Sequence, residues 1–184
     1  MTKLNVILII INTLVVLFLL FRELYIVNGK KLNYTKDKLN DSESECLDKF
    51  KTKYNLLLEL IEYTEKKYKI ESKVFDEAKE IKIESLNSFS NEKILNKCYK
   101  EILQIKEDNT KVKETKAFRE LIKKYNENEL NIISLRTYHN KYTLVFNDMI
   151  KKFPYNIISK IKKYNINELI EGQEISSFNN DLEV

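Results

Sequence analysis

Residues 118–154 read FRELIKKYNENELNIISLRTYHNKYTLVFNDMIKKFP, and this stretch decides the fold. Phe118, Tyr125, Ile132, His139, Phe146 and Phe153 recur every seven residues, and Leu121, Asn128, Leu135, Tyr142 and Met149 fill a second position of the same repeat. Side chains at that spacing fall on one side of an α-helix, because a turn takes 3.6 residues. The pattern predicts one long amphipathic helix that stops at Pro154, whose ring cannot continue a helix interior.

Working outward, Leu95, Cys98, Ile102 and Ile105 share one face of a shorter helix that ends near Asp108, Asn109 and Thr110. The stretch SLNSFSN at 85–91 is rich in capping residues and reads as a turn. Ahead of it, Leu47, Tyr54, Ile61, Tyr68 and Phe75 form one seam, and Phe50, Leu57, Thr64, Glu71 and Ala78 its partner. That spacing predicts a first long helix from Leu47 to the turn. Downstream, residues 156–170 read as a short amphipathic helix and SSFNNDLEV at 176–184 as a disordered end. A long amphipathic helix has to bury its stripe, most simply against an antiparallel neighbour.

Composition agrees. The 184 residues include two Gly and one Pro. Hairpins, tight turns and phosphate-cradling loops lean on those residues, so an all-β or doubly wound fold is disfavoured. Thirty-two basic residues face twenty-eight acidic ones. Lys and Glu alternate along the chain, as on a solvated helix surface, rather than clustering as a nucleic-acid footprint would. Nucleic acid is therefore not expected as a partner. Arg22, Arg119 and Arg136 are the only arginines. Cys46 and Cys98 form no motif, lie at very unequal distances from a turn near residue 87, and read as two small buried thiols.

Residues 4–21, LNVILIIINTLVVLFLLF, carry no charge. Eighteen helical residues span about 27 Å, close to the thickness of a bilayer's hydrocarbon core. A cleaved signal peptide would show a shorter apolar run and a small-residue cleavage site. No Ala-x-Ala follows here, and Val27-Asn28-Gly29 is the one weak candidate. The run reads as a retained anchor meeting the bilayer through residues 4–27. Lys3 precedes it, while Arg22, Lys30, Lys31, Lys36 and Lys38 follow. The positive-inside rule then places the N-terminus outside and the large C-terminal part in the cytoplasm. Free thiols fit that reducing compartment.

The expected organisation is an anchor at 1–27, a polar juxtamembrane linker at 28–45, a helical bundle at 46–165 and a disordered tail at 166–184. Asn28-Gly29 reads as a helix break, and Ser42 and Ser44 as N-caps. The fold class is all-α: a transmembrane helix followed by an elongated, coiled-coil-like antiparallel bundle of three to four helices. Self-association, giving a homo-oligomer, is compatible with it but not required.

With those residues placed, the chain resembles the LemA family of bacterial membrane proteins, over the anchor and most of residues 51–165. The first stretch is YNLLLELIE, with Tyr54, Asn55, Leu56, Leu60 and Ile61 in place; Leu58 and Glu59 stand where the family has Pro-Asn. Glu71 follows ten residues after Ile61. Then come Glu107, Val112 and Lys113, with Thr110 in place of Pro, and Phe118 with Leu121. Glu129, Ile132 and Arg136 match the next pattern. His139-Asn140, Phe146-Asn147 and Phe153-Pro154 close the series. The resemblance implies a single anchor and an antiparallel helical bundle, with no catalytic residue and no cofactor.

Few residues offer chemistry. His139 is the only histidine and sits on the seam. Zinc wants several His or Cys ligands, and a nucleophile system wants a base beside it. No catalytic, cofactor or metal residue is therefore assigned. Glu71 also falls on a seam, where a carboxylate is unfavourable unless paired. Glu129 and Arg136 lie seven apart on one stripe. The expectation is that Arg136 bridges Glu71, Glu129 or both, as a structural pair or a polar site within the bundle. Asn140 and Asn147 share a stripe beside the seam and are a possible recognition stripe, or simply solvated.

The function expected is a membrane-anchored, non-enzymatic bundle that binds or scaffolds another protein at the cytoplasmic face. The alternatives are an enzyme using Glu71 and Glu129 as paired carboxylates, and an assembly factor or chaperone for membrane proteins.

Overall fold

A computed structural model describes residues 3–85, 88, 91–109 and 115–170. The expected tail beyond Ile170 lies outside them, as does much of the turn at 85–91. Among the described residues there are five helices and no strand. They are α1 (Lys3–Tyr68), α2 (Lys73–Lys79), α3 (Glu92–Asp108), α4 (Lys116–Met149) and α5 (Tyr155–Lys162). The chain is all-α. It divides into two compact units, one of Met1–Asn40 with Lys141–Glu168, the other of Asp41–Asn140 with Leu169–Val184.

In the second unit α1 and α4 run antiparallel. Ser42 meets His139, Lys53 meets Glu129, and the Tyr63 ring stacks on Phe118 at 4.5 Å. As the residue number rises on α1 it falls on α4. α3 is likewise antiparallel to α4, because Glu92 meets Arg136 and Tyr99 stacks on Tyr125 at 4.1 Å. The core comes from α1 (Cys46, Phe50, Leu57), α2 (Phe75), α3 (Leu95, Cys98, Ile102) and α4 (Phe118, Tyr125, Ile132). The α3 face read from the sequence is the buried one.

In the first unit α1 and α4 also approach each other, with Thr35 donating to the Met149 sulfur at 3.8 Å. Leu32, Leu39, Phe146, Met149, Ile150 and Ile158 form a small core there.

Several expectations are corrected. The break at Asn28-Gly29 does not occur, and the polar linker at 28–45 is helix throughout. Asn28 donates to the Leu24 carbonyl four residues back, a bond that follows the helix rather than turning out of it. One glycine costs a helix about 1 kcal/mol. Packing outweighs that, because Leu32, Thr35, Leu39 and Ser42 extend the buried stripe of α1 into the supposed linker. Ser42 and Ser44 are interior to α1 and cap nothing.

The seam on α1 is rotated by one position. Cys46, Lys53 and Leu60 are buried beside Phe50, Leu57 and Thr64, whereas Leu47 and Tyr54 are half-buried. The helix also ends early, at Tyr68, where Lys69 takes φ 54° and turns the chain. Glu71 therefore lies off the helix and exposed, while Phe75 and Ala78 reach the core from α2.

α4 ends at Met149, and Phe153, expected on the seam, is 71% exposed. Pro154 opens α5 instead of merely ending α4. α5 stops at Lys162 because Lys163 takes φ 56°. The expected helix at 156–170 is thus half as long, and Ile170, which falls at its expected end and within the tail expected at 166–184, is buried.

Candidate functional site

The polar heart of the second unit is built on α1, α3 and α4. Lys53 is on the buried stripe of α1, between Phe50 and Leu57. Its Nζ lies 2.6 Å from Glu129 Oε2 and 3.3 Å from Glu92 Oε1, and donates to Asn96 Oδ1 at 2.9 Å. Arg136 Nη2 donates to the same Glu92 Oε1 at 2.9 Å. The side chains of Lys53, Glu92, Glu129 and Arg136 are 0–9% exposed. Two cations and two anions sum to zero, so each ion has its counter-ion within the fold. Removing four such charges from water is unfavourable unless they pair this closely.

Helix register explains the grouping. Glu129 and Arg136 are two turns apart on α4 and face α1 and α3. Glu92 begins α3 one turn before Leu95 and so shares its buried face. Tyr125, one turn before Glu129, carries its ring 5.8 Å from the Lys53 ammonium. Burial, then the Glu129 charge, holds the Tyr125 hydroxyl well above its ordinary value. Burial pushes the stacked Tyr99 up to about 12, although its bond to Asn126 pulls the other way. The thiols follow the same rule. Burial raises Cys46 to about 11, against the Arg136 charge, and Cys98 to about 12. All four groups are protonated near neutral pH, and the thiols are poor nucleophiles.

The sequence-expected residues are thus redistributed. Arg136 does bridge a carboxylate, but it is Glu92 and not Glu71. Glu129 takes Lys53. Glu71 lies in an open groove with Glu65, Lys69, Asp76 and Lys79. Glu71 and Glu129 are not brought together as a carboxylate pair. Lys53 and Glu92 were missed, and each had a signal. Lys53 fits the 3-and-4 spacing of 46, 50, 53, 57 and 60, and Glu92 sits three before Leu95. Among the described residues no group of three or more His, Cys, Asp or Glu is placed to hold a metal. His139 is buried and shares a 3.1 Å hydrogen bond with Ser42.

Asn140 and Asn147 are each occupied. In the second unit Asn140 Nδ2 donates to the Ile170 carbonyl at 3.0 Å while the Ile170 N–H donates back to Asn140 Oδ1 at 2.9 Å. In the first, Asn147 does the same to Asn167, at 2.8 and 2.9 Å. A side-chain amide carries an N–H donor and a carbonyl acceptor side by side, so it pairs with a residue's backbone as a strand neighbour would. What the two asparagines hold is the chain's own C-terminal segment.

Residues 42–184 match the LemA family. The chain belongs to the LemA family. The match begins at Ser42, leaving the apolar run and the start of the buried stripe outside it, and it runs through the segment held by Asn140 and Asn147. No curated protein and no solved structure matches the chain. Within this LemA-family domain the matched patterns divide by burial. Ile132 and Arg136 serve the core, and Asn140 and Asn147 serve the C-terminal segment.

Proposed function

We propose that this LemA-family protein is a membrane-anchored, non-enzymatic scaffold that binds a protein partner at the cytoplasmic face. The observation that carries the anchoring is the run Leu4–Phe21. It is helical, and its large apolar side chains are 42–67% exposed. Apolar surface of that extent is unfavourable in water and matches the bilayer core in length. Thr13, within the run, donates to the Ile9 carbonyl at 2.8 Å, as a hydroxyl in hydrocarbon must. Family membership and this helix are together consistent with a membrane anchor.

Support for a binding role comes from where the chemistry is spent. Lys53, Glu92, Glu129 and Arg136 neutralise one another inside the fold, which favours a structural use of these charges. Meanwhile α4 leaves Leu130, Tyr138, Leu144 and Val145 exposed. Aromatic and aliphatic side chains of this kind are common anchors in protein interfaces. An assembly factor for membrane proteins is a special case of the same reading. A carboxylate enzyme needs two acids flanking a substrate, and Glu71 and Glu129 are not brought to one place.

Two experiments test this. Protease added to intact spheroplasts should leave the C-terminal part uncut until the membrane is opened; digestion from outside reverses the orientation. A photo-crosslinking residue at Leu130 or Tyr138, in intact membranes, should capture one discrete partner, with no such adduct from Lys124. Equal labelling at all three positions would count against a docking face.

A further inference from the structure

We propose that the face of the first unit formed by Phe153, Ile157 and Ile161 lies on the lipid headgroups beside the span and prefers anionic lipid. This rests on reading α1 as membrane-spanning. The first observation is position. Phe153, Pro154 and Ile157 close an apolar niche against Phe21, Leu24 and Tyr25 of α1. Phe21 ends the uncharged run, so whatever depth Phe21 occupies, Phe153 and Ile157 occupy a similar one. A span of about 27 Å puts that depth at the edge of the hydrocarbon.

The second observation is exposure. Phe153 is 71% exposed, Ile157 36% and Ile161 58%. Ile157 and Ile161 are spaced by four on α5, which places them on one side of that helix, and Phe153 joins Ile157 through the niche they share. Ile158 and Ser159 turn the other way, into the protein. Ile157 and Ile161 thus leave an outward apolar strip on a short helix beside the end of the uncharged run.

The third is charge. Residues 151–163, KKFPYNIISKIKK, hold five lysines and no acid. Lys152 pairs with Asp148 and Lys162 donates to Asn33, which leaves Lys151, Lys160 and Lys163 exposed around the stripe. Exposed Lys30 and Lys31 follow on α1. Lysines beside a lipid-facing apolar strip favour anionic headgroups and extend their stems along the apolar surface. Apolar side chains continuous with the span, with lysines outnumbering the acids Glu23 and Asp148 around them, fit a lipid surface better than a protein one.

The chain has no tryptophan, so single substitutions give a clean fluorescent reporter. The full-length protein is placed in phosphatidylcholine vesicles with and without phosphatidylglycerol, each containing lipids brominated high on their chains. Three reporters are compared: Ile161→Trp on the proposed face, Leu14→Trp within the span, and Leu144→Trp. Leu144 is five residues before Met149, which meets Thr35, about 21 Å along α1 from Phe21. Phe153→Trp serves as a second, aromatic-for-aromatic reporter should Ile161→Trp alter the circular dichroism.

The expected result is bromine quenching of Ile161→Trp at least two-fold stronger than that of Leu144→Trp, and stronger again with phosphatidylglycerol. Quenching of Leu14→Trp alone overturns the proposal and leaves the anchor standing. Absence of quenching at both Leu14 and Ile161 overturns both. Quenching at Ile161 that ignores phosphatidylglycerol overturns the preference for anionic lipid. A blue shift of Ile161→Trp seen in native membranes but not in vesicles would assign the face to a protein, against the proposal.

Discussion

Lys53 and Glu129 meet at 2.6 Å with both side chains withdrawn from water. One comes from α1 and the other from α4, so their contact reports the antiparallel register of the two helices. Glu92 and Arg136 extend the contact to α3. Removing one partner of a buried pair strands the other, at about 3–5 kcal/mol.

The members should not be equivalent. Lys53→Met removes the cation that lies 2.6 Å from Glu129, while the Arg136 contact is to Glu92. Arg136→Leu leaves Lys53 still beside both carboxylates. Lys53→Met is therefore expected to lower the melting temperature more than Arg136→Leu. The double variant Lys53→Met/Glu129→Leu should recover part of that loss, because it keeps the Arg136–Glu92 pair and strands no charge. Thermal melts of the three variants check this; additive losses in the double variant would deny the coupling.

Asn140 and Asn147 each exchange two hydrogen bonds with a backbone residue of the C-terminal segment. Each such bond contributes about 1 kcal/mol net. Asn140→Ala should expose the Ile170 amide to solvent exchange, and Asn147→Ala the Asn167 amide, with little effect on the Lys53 cluster. Hydrogen exchange followed residue by residue separates this from global destabilisation, in which protection across α3 would fall as well.

The raised thiols give a pH dependence with a definite sign. Cys46 and Cys98 are protonated in the fold to about 11 and 12, against an ordinary 9.0. Below the ordinary value both folded and unfolded thiols are protonated, and the stabilisation is fully present. Above it the unfolded thiols release protons first, so stability falls as pH rises from about 9 towards 11–12. Melts in a reducing buffer should be level near neutrality and decline above about pH 9. A thiol reagent at neutral pH should modify both cysteines far faster in denaturant than in the native state.

Gly29 tests the continuity of α1. A Cβ built there meets nothing within 4 Å, and the residue is interior to the helix. Gly29→Ala should therefore stabilise the protein by about 0.5–1 kcal/mol, through helix propensity and a less flexible unfolded chain. A loss of stability in the melt would mean that the chain needs a break there.

The helices were legible because periodicity is local. Leu95, Cys98, Ile102 and Ile105 declare a face without reference to any other segment, and so do Phe118, Tyr125, Ile132, His139 and Phe146. The apolar run at 4–21 declares itself by length and lack of charge. The candidate site was half legible. Arg136 and Glu129 were singled out, but their partners Lys53 and Glu92 belong to other helices.

What the sequence determined alone is therefore the kind of structure: long helices, their number within one, and which face of most of them is apolar. Tertiary structure decided the rest. Lys69 ended α1 by a backbone turn that no apolar pattern marks, and so removed Glu71 from the seam. The α1–α4 register chose Lys53 for Glu129, and Asn140 and Asn147 found backbone partners twenty or more residues away. The reason is physical. A helix's period depends on neighbours within a turn or two, whereas the pairing of its polar side chains depends on how whole helices slide and rotate against one another.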